Sequence, residues 1–183
     1  MKQQFILILL VAVLCSCNDG EVEKKYFMTA LVNDQAWTSM ERLAGAQLDF
    51  SDITQGHNLW VGGSMEVPLP DKNIYRLSLS VNSPVSKGKF KFNNKKFESN
   101  AIGGVQGNVI GYKNGVDYFN SVTTSGFVEI TLLTDHEVGG NFEYHAVSYS
   151  PGLDPKGIDT VKVTNGKFHV PIVMVSGREW NAP

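Results

Sequence analysis

The chain of 183 residues carries 16 basic and 18 acidic side chains, so its formal net charge is −2 at pH 7. This near-neutral balance excludes the strongly basic surface that nucleic-acid-binding domains present, and we expect no nucleic acid as a partner. The length suits one domain with its own hydrophobic core. The two cysteines both lie near the N-terminus, so the remainder of the chain can form no disulfide.

The N-terminal segment resembles the signal peptide of a bacterial lipoprotein. Lys2 precedes the apolar run Phe5–Leu14, which is shorter than the ~20 residues that a membrane-spanning helix needs. The run ends in Leu-Cys-Ser-Cys, which resembles the lipobox, with Cys17 in the position of the lipidated cysteine. Residues 1–16 would then be removed together with Cys15, and Cys17 would carry the lipid. The alternative is an ordinary secreted protein.

Residues 17–25 are expected to form a lipidated polar tether between this anchor and the body of the chain. The acidic residues soon after Cys17 resemble the surface-export signal of Bacteroidota lipoproteins, although a plain solvated linker has the same composition. We therefore predict an outer-membrane lipoprotein of the cell envelope, exposed to the periplasm or to the surface. Its first expected partner is the membrane, which the lipid anchor reaches.

Alternating apolar and polar residues predict short strands along the body of the chain. Residues 40–48 allow one or two helical turns at most, since Gly45 is a poor helix former. The expected fold is all-β, an antiparallel β-sandwich or a partly open barrel, in a single domain over residues 26–175 with a C-terminal tail at 176–183. Three alternating segments should point these side chains to the core: Tyr75, Leu77, Leu79 and Val81; Val128, Ile130 and Leu132; Phe142, Tyr144 and Ala146.

Two Asn-Gly pairs predict hairpins, because both residues of such a pair tolerate the positive φ of a tight turn. One pair is Asn165-Gly166. The other is Asn114-Gly115, which would place Tyr112 opposite Asp117. The hairpin at Asn165-Gly166 would bury Val161, Val163, Phe168 and Val170.

The segment Phe27–Trp37 resembles the first hairpin of an uncharacterised family of β-rich Bacteroidota lipoprotein domains, whose members begin F-x-A-x-V-N-G-x-x-W. The likeness spans most of residues 27–173, and Asp34 stands where the family has glycine. The resemblance implies a β-rich envelope domain and brings no catalytic residues. With a two-residue first turn, Trp37 would lie in the core. Further matching stretches are Gly88–Phe90, Gly126–Thr131, Gly140–Phe142 and Val161–Phe168.

Metal-ligand side chains cluster at two places. The run Asp135–Glu137 precedes a pair of glycines and is more typical of a solvated turn than of a metal site. Asp49, Asp52 and His57 can meet in an oxygen-rich loop that would suit Ca²⁺, but the spacing of an EF-hand is missing. We therefore predict no metal and no other cofactor.

Sequence motifs of catalysis are also missing, since the chain has no G-x-S-x-G, H-E-x-x-H, P-loop or G-x-G-x-x-G. Glu98, Glu129 and Glu143 offer an acid pair for a glycosidase only if two of them come close in the fold. We therefore predict a non-catalytic binding or structural module, with no catalytic residues. The alternative is an envelope hydrolase with a dispersed carboxylate site.

The segment Lys87–Lys96 carries five lysines. Lys87, Lys89 and Lys91 should line one face of a strand, with Phe90 turned inward. Charge of this kind protects an edge strand against pairing with another sheet. The functional interpretation is contact with an anionic glycan or a lipid head group.

Trp60 stands beside two glycines and is a candidate for an exposed ring that stacks on a sugar. Together with Lys87, Lys89 and Lys91 it forms the predicted ligand-binding set, for a glycan or an envelope protein. Trp180 is expected in a loose C-terminal tail. Thr160, in Asp-Thr-Val, resembles a Bacteroidota O-glycosylation site and should face outward.

Overall fold

The computed structural model describes residues 25–65, 73–92, 104–113, 116–149 and 160–183. The predicted signal peptide at 1–16, the lipidation site Cys17, the pair Asn114-Gly115 and Glu98 lie outside the described residues. Within the described ranges, no helix has the length and apolar character that crossing a membrane would demand.

The described residues form a 10-stranded sheet. Its strands are β1 (Phe27–Val32), β2 (Gln35–Thr38), β3 (Gly45–Ser51), β4 (Gly56–Ser64), β5 (Asn73–Asn82), β6 (Gly88–Lys91), β7 (Gly104–Lys113), β8 (Val116–Leu133), β9 (Glu137–Tyr149) and β10 (Thr160–Ser176). One turn of 3-10 helix, Glu41–Leu43, is the helical structure within residues 40–48, and β3 begins two residues later at Gly45.

Seven of the described strands pair in a closed ring. Strands β3, β4, β5, β7, β8, β9 and β10 pair in that order, and β10 then pairs with β3. The β1–β2 hairpin lies beside β10, and β6 lies beside β8. The sheet therefore curls in the way that the all-β prediction of a sandwich or partly open barrel requires, and the fold class is confirmed.

One ladder departs from the predicted antiparallel arrangement. Strand β10 runs parallel to β3, with Ile172 opposite Ala46 and Val175 opposite Leu48. The ring of strands has an odd number of members, so strand direction cannot alternate all the way round it. One ladder must therefore be parallel, and the expectation of a purely antiparallel sheet is wrong at this point.

The inner surface of the sheet follows the predicted alternation with one exception. In β8, Val128 and Ile130 are buried, whereas Leu132 is only half-buried. A bulge between Ile130 and Leu132 shifts the alternation by one residue, so Leu133 enters the core in its place. The predicted core residues of β5 and β9 are all buried: Tyr75, Leu77, Leu79, Val81, Phe142, Tyr144 and Ala146.

The hydroxyl of Tyr144 crosses the interior from β9 to β7, where it donates a hydrogen bond of 3.1 Å to the backbone oxygen of Asn108. The rings of Phe92 and Phe142 pack beside it, with centroids at 5.7 and 6.1 Å. Burial raises the pKa of Tyr144 far above its ordinary value. The hydroxyl therefore stays protonated at physiological pH and keeps this hydrogen bond.

The first hairpin has the predicted two-residue turn. Asn33 and Asp34 both adopt positive φ, 50° and 63°, as a type I′ turn requires. Aspartate tolerates this backbone region, so the turn forms without the glycine that the resembled family has there. Trp37 lies opposite Ala30 and is fully buried, which confirms its place in the core.

The predicted hairpin at Asn165-Gly166 is wrong. Strand β10 continues through these residues, and its register against β9 shifts between Val163 and Gly166. Asn165 adopts a φ of 52° and forms a bulge in the strand instead of a turn. The side chains predicted for the core are nevertheless buried: Val161, Val163, Phe168 and Val170. The second predicted hairpin is confirmed in its register, with Tyr112 opposite Asp117.

Candidate ligand-binding groove

A groove of about 370 Å³ lies on the outer surface of β3, β4 and β5. Leu48, Leu59 and Leu79 point inward from these strands and are buried. Since side chains alternate along a strand, their neighbours point outward. The groove is lined by the outward-pointing Gln47, Asp49, Asn58, Trp60, Ser80 and Asn82, and by Leu59 in the strand between Asn58 and Trp60.

The register of the ladders arranges these side chains in rows across the strands. Trp60 on β4 lies directly between Gln47 on β3 and Ser80 on β5. Asn58 lies opposite Asp49 in the next row. Neighbouring strands are ~4.8 Å apart, so each row forms a continuous surface. The groove is therefore an aromatic ring set among amide, hydroxyl and carboxylate groups.

The indole of Trp60 lies over the backbone of Gly62, two residues further along β4. A Cβ atom at Gly62 would come within 2.3 Å of the Cη2 atom of the indole. The missing side chain thus provides the space in which the ring rests against the sheet. Trp60 remains 42% exposed, so this large apolar side chain stays accessible to a ligand.

Asp49 is held in place by two donors. The Nε2 atom of Gln47 lies 2.9 Å from both carboxylate oxygens of Asp49. The hydroxyl of Ser176, on β10, donates to Oδ1 of Asp49. Among the described residues, Asp49 is the only charged side chain that lines the groove.

The predicted lysines lie elsewhere. Lys89 and Lys91 belong to β6, and Lys87 directly precedes it. Strand β6 pairs with β8 and stands at the end of the described strand order, which confirms the interpretation as an edge strand. The Nζ atom of Lys89 lies 3.6 Å from the ring centroid of Phe127. The structure does not bring these lysines and Trp60 together, since no lysine lines the described groove.

The glutamate pair lies beside the lysine strand. Glu129 on β8 is opposite both Lys89 on β6 and Asn141 on β9. Glu143 is two residues beyond Asn141, so the two glutamates are diagonal neighbours on adjacent strands. Lys89 and Glu129 are opposite charges placed directly across two strands, an arrangement that stabilises a sheet.

The first candidate metal cluster, Asp135–Glu137, forms a hydrogen-bonded turn. At the Asp135–Glu137 turn, the Thr134 hydroxyl accepts hydrogen bonds from the backbone nitrogens of His136 and Glu137. Asp135 and His136 are exposed, as predicted for a solvated turn. No group of three or more histidine, cysteine or acidic side chains close enough to hold a metal occurs in the described part of the chain.

Asp49, Asp52 and His57 do not meet in one loop. Asp49 points outward into the groove, whereas His57 lies opposite Phe50 on the inner face and is only 6% exposed. Asp52 sits in the exposed connection between β3 and β4, where it lies 3.7 Å from Arg178.

The C-terminal tail is not loose, contrary to expectation. The indole of Trp180 is half-buried, donates to the backbone oxygen of Thr134 at 3.4 Å and packs edge-on against His57. Further along the tail, the backbone nitrogen of Ala182 donates to Asp135 at 2.7 Å. Residues 178–183 therefore pack against the connections β3–β4 and β8–β9.

Thr160, at the start of β10, is exposed and points away from the core side of Val161. This is the outward position expected for it, and its O-glycosylation stays a prediction.

Comparison with known protein families, with curated proteins and with solved structures finds no match to this chain. The likeness to the Bacteroidota lipoprotein family thus stays a prediction from the motifs in residues 27–173. The groove around Trp60 is the feature whose geometry bears on function.

Proposed function

We propose that this chain is a lipid-anchored protein of the bacterial cell envelope that binds a glycan, without catalysis, in the groove around Trp60. The observation that carries this proposal is the exposed indole of Trp60 resting over Gly62 among polar side chains. A binding site typically combines a large apolar contact with a few polar groups that fix orientation.

The chemistry of sugars matches this arrangement. A pyranose ring has an apolar face of C–H groups and a rim of hydroxyl groups. The indole of Trp60 offers a large apolar surface for the face, while Gln47, Asn58 and Ser80 offer donors and acceptors for the rim. A rigid aromatic ring loses little conformational entropy on binding, which favours it as a contact surface.

The single carboxylate of the groove supports a binding module at this site over a hydrolase. Glycoside hydrolysis uses a pair of carboxyl groups ~5 to 9.5 Å apart on either side of the scissile bond. Within the described lining of the groove, Asp49 is a single carboxylate, and Gln47 and Ser176 already bond to it. Glu129 and Glu143 are diagonal neighbours close enough to form such a pair, but they lie outside the groove, on β8 and β9 beside the lysines of β6.

The envelope location rests on the sequence of the N-terminus. The lipobox-like Leu-Cys-Ser-Cys ending at Cys17 would supply the lipid, and the polar tether 17–25 would connect it to β1. Such a lipid anchor would hold the groove near the membrane surface.

A glycan array probed with the lipidated protein in detergent micelles tests the proposal. Wild type should bind at least one glycan, Trp60→Ala should lose that binding, and the control Lys89→Ala on β6 should keep it. Loss with Lys89→Ala and retention with Trp60→Ala would place the site on the lysine strand instead. Turnover of an envelope polysaccharide or ester that a single Asp or Glu substitution abolishes would show a hydrolase.

A further inference from the structure

We infer that the groove selects an uncharged oligosaccharide laid across β4, β3 and β10, and that Asp49 excludes acidic sugars. This inference rests on the proposed glycan binding and adds the class and the length of the ligand. Its basis is the charge of the groove and a continuation of the Trp60 row onto β10.

Charge comes first. Asp49 carries the one charge in the described lining, and Gln47 and Ser176 fix its carboxylate between β10 and β4. A uronate or a sulfated sugar would bring a second negative charge into a partly desolvated site in which no described cation lies. The lysines that would suit an acidic glycan lie on β6, outside this groove.

Hydrogen-bond capacity indicates a ligand with donor groups. A carboxylate has about four acceptor sites, and Gln47 and Ser176 occupy three of those on Asp49. The remaining site requires a donor, such as a sugar hydroxyl or an N-acetyl N–H group. An acidic substituent has no proton to donate at neutral pH and is therefore unsuited to this position.

The length of the ligand follows from the register of β10 against β3. Met174 lies opposite Gln47, and Gln47 lies opposite Trp60, so these three side chains form one row across three strands. Ser176, two residues after Met174, bonds to Asp49 on the outer face, which places Met174 on that face as well. Met174 is 50% exposed, and it ends a row that spans about 10 Å, or two interstrand spacings.

An apolar side chain thus stands at each end of a polar stretch. Trp60 provides a surface for one sugar ring, and Asp49 with Gln47 provides bonds for its hydroxyls. Met174 provides a second apolar contact for a neighbouring ring. A disaccharide or longer chain makes all of these contacts, whereas a monosaccharide reaches one end only.

Titration calorimetry at low salt tests this inference with matched probes. The panel contains neutral oligomers of β-linked glucose, mannose and N-acetylglucosamine, their monosaccharides, and the glucose and mannose oligomers oxidised to uronates at C6. We expect a neutral oligomer to bind, its uronate to bind at least ~10-fold more weakly, and its monosaccharide more weakly still. Trp60→Ala should lower the affinity about 30-fold or more, as truncation of a central aromatic contact does.

Two further variants separate the contribution of the Asp49 charge from that of the Met174 contact. Asp49→Asn keeps the size of the side chain and removes its charge, so the preference for neutral over oxidised oligomers should fall towards unity. Met174→Ala should weaken the oligomer about fivefold and leave the monosaccharide unchanged, as loss of one partly exposed apolar contact implies.

The outcomes distinguish the inference from the proposed function. Binding of uronates as tightly as neutral oligomers, with Trp60→Ala still defective, would overturn the charge selection and leave glycan binding intact. If Met174→Ala weakens the affinity for monosaccharide and oligomer equally, the proposed path of the oligosaccharide from Trp60 to Met174 is overturned. Failure of every member of the panel, together with capture of an envelope protein that depends on Trp60, would overturn the proposed function itself.

Discussion

The Nε2–H group of His57 donates a hydrogen bond of 2.9 Å to the backbone oxygen of Arg178, which lies 121 residues further along the chain. The ring of His57 also contacts Trp180 and Phe50, both edge-on, with centroids 5.2 and 5.3 Å away. A buried histidine in the β3–β4 region thus fastens the end of the chain to the sheet.

Trp180→Ala should therefore lower the free energy of unfolding by about 2 kcal/mol, because it removes a half-buried aromatic ring and exposes His57. A urea titration measures this change. The control is Trp60→Ala, which removes an exposed ring of the same size and should cost under about 1 kcal/mol. Similar unfolding midpoints for wild type and Trp180→Ala would mean that the tail contributes nothing to stability.

Gly62→Ala should disturb the groove without a large loss of stability. The new Cβ would displace the indole of Trp60, whose outer end can swing into solvent, so the fluorescence of the protein should change. In the Trp60→Ala background the same substitution should have little further effect, because the displaced ring is gone. An identical effect of Gly62→Ala on the free energy of unfolding in both backgrounds, measured by urea titration, would contradict the observed contact.

Phe168→Ala should destabilise the protein by about 3–5 kcal/mol, as aromatic truncations in a core do. Phe168 is buried beside Phe142 on the inner face of the sheet. Lys162→Ala, on the outer face of the same strand, is the matched control and should cost under about 0.5 kcal/mol. An equal loss of unfolding free energy for the two variants in a urea titration would show that Phe168 does not point into the core.

Cys17 should carry a diacylglycerol group, and Cys17→Ala should leave an unprocessed precursor without lipid. The reason is the position of Cys17 after Leu14, Cys15 and Ser16, which resembles a lipobox. Mass spectrometry of the mature N-terminus checks this expectation. Cleavage at another residue, or a Cys17 without lipid, would refute the proposed anchor.

The bulge in β10 shows why sequence alone predicted a turn at Asn165-Gly166. A two-residue type I′ turn needs positive φ and this bulge has it at Asn165, and both structures put Val163 and Phe168 on the same side of the sheet. The local pattern of apolar residues is therefore the same for the two structures. The difference is made by β9, which pairs with β10 from Thr160 to Pro171 on both sides of the bulge.

The contact of Gly166 with β9 also shows that pairing with β9 determines the structure at this position. It lies opposite Phe142 of β9, and a Cβ atom at Gly166 would come within 2.5 Å of the Phe142 backbone oxygen. The requirement for glycine comes from this close approach of two strands. In the sequence it was indistinguishable from the requirement of a tight turn.

The groove is predictable from the sequence only in part, because the strand β10 beside it is far from β3 in the chain. Alternation correctly indicates which residues of a strand point outward, and the two neighbouring glycines mark Trp60 as a candidate for exposure. Alternation does not indicate which strands are neighbours. Asp49 and Ser176 are 127 residues apart, and only the parallel ladder between β3 and β10 brings them together. From the sequence alone, Asp49 is therefore a candidate for a calcium loop and not for this groove.

The same ladder has a consequence for the order of folding. Strand β10 is the last in the chain, yet it provides the pairing edges for β1, β3 and β9. Contacts between residues so far apart in sequence make folding slow, on the order of milliseconds to seconds. If the chain is exported N-terminus first as the proposed lipoprotein, it cannot complete its sheet until residues 160–176 have crossed the membrane. In that case the sheet would first be complete on the far side of that membrane.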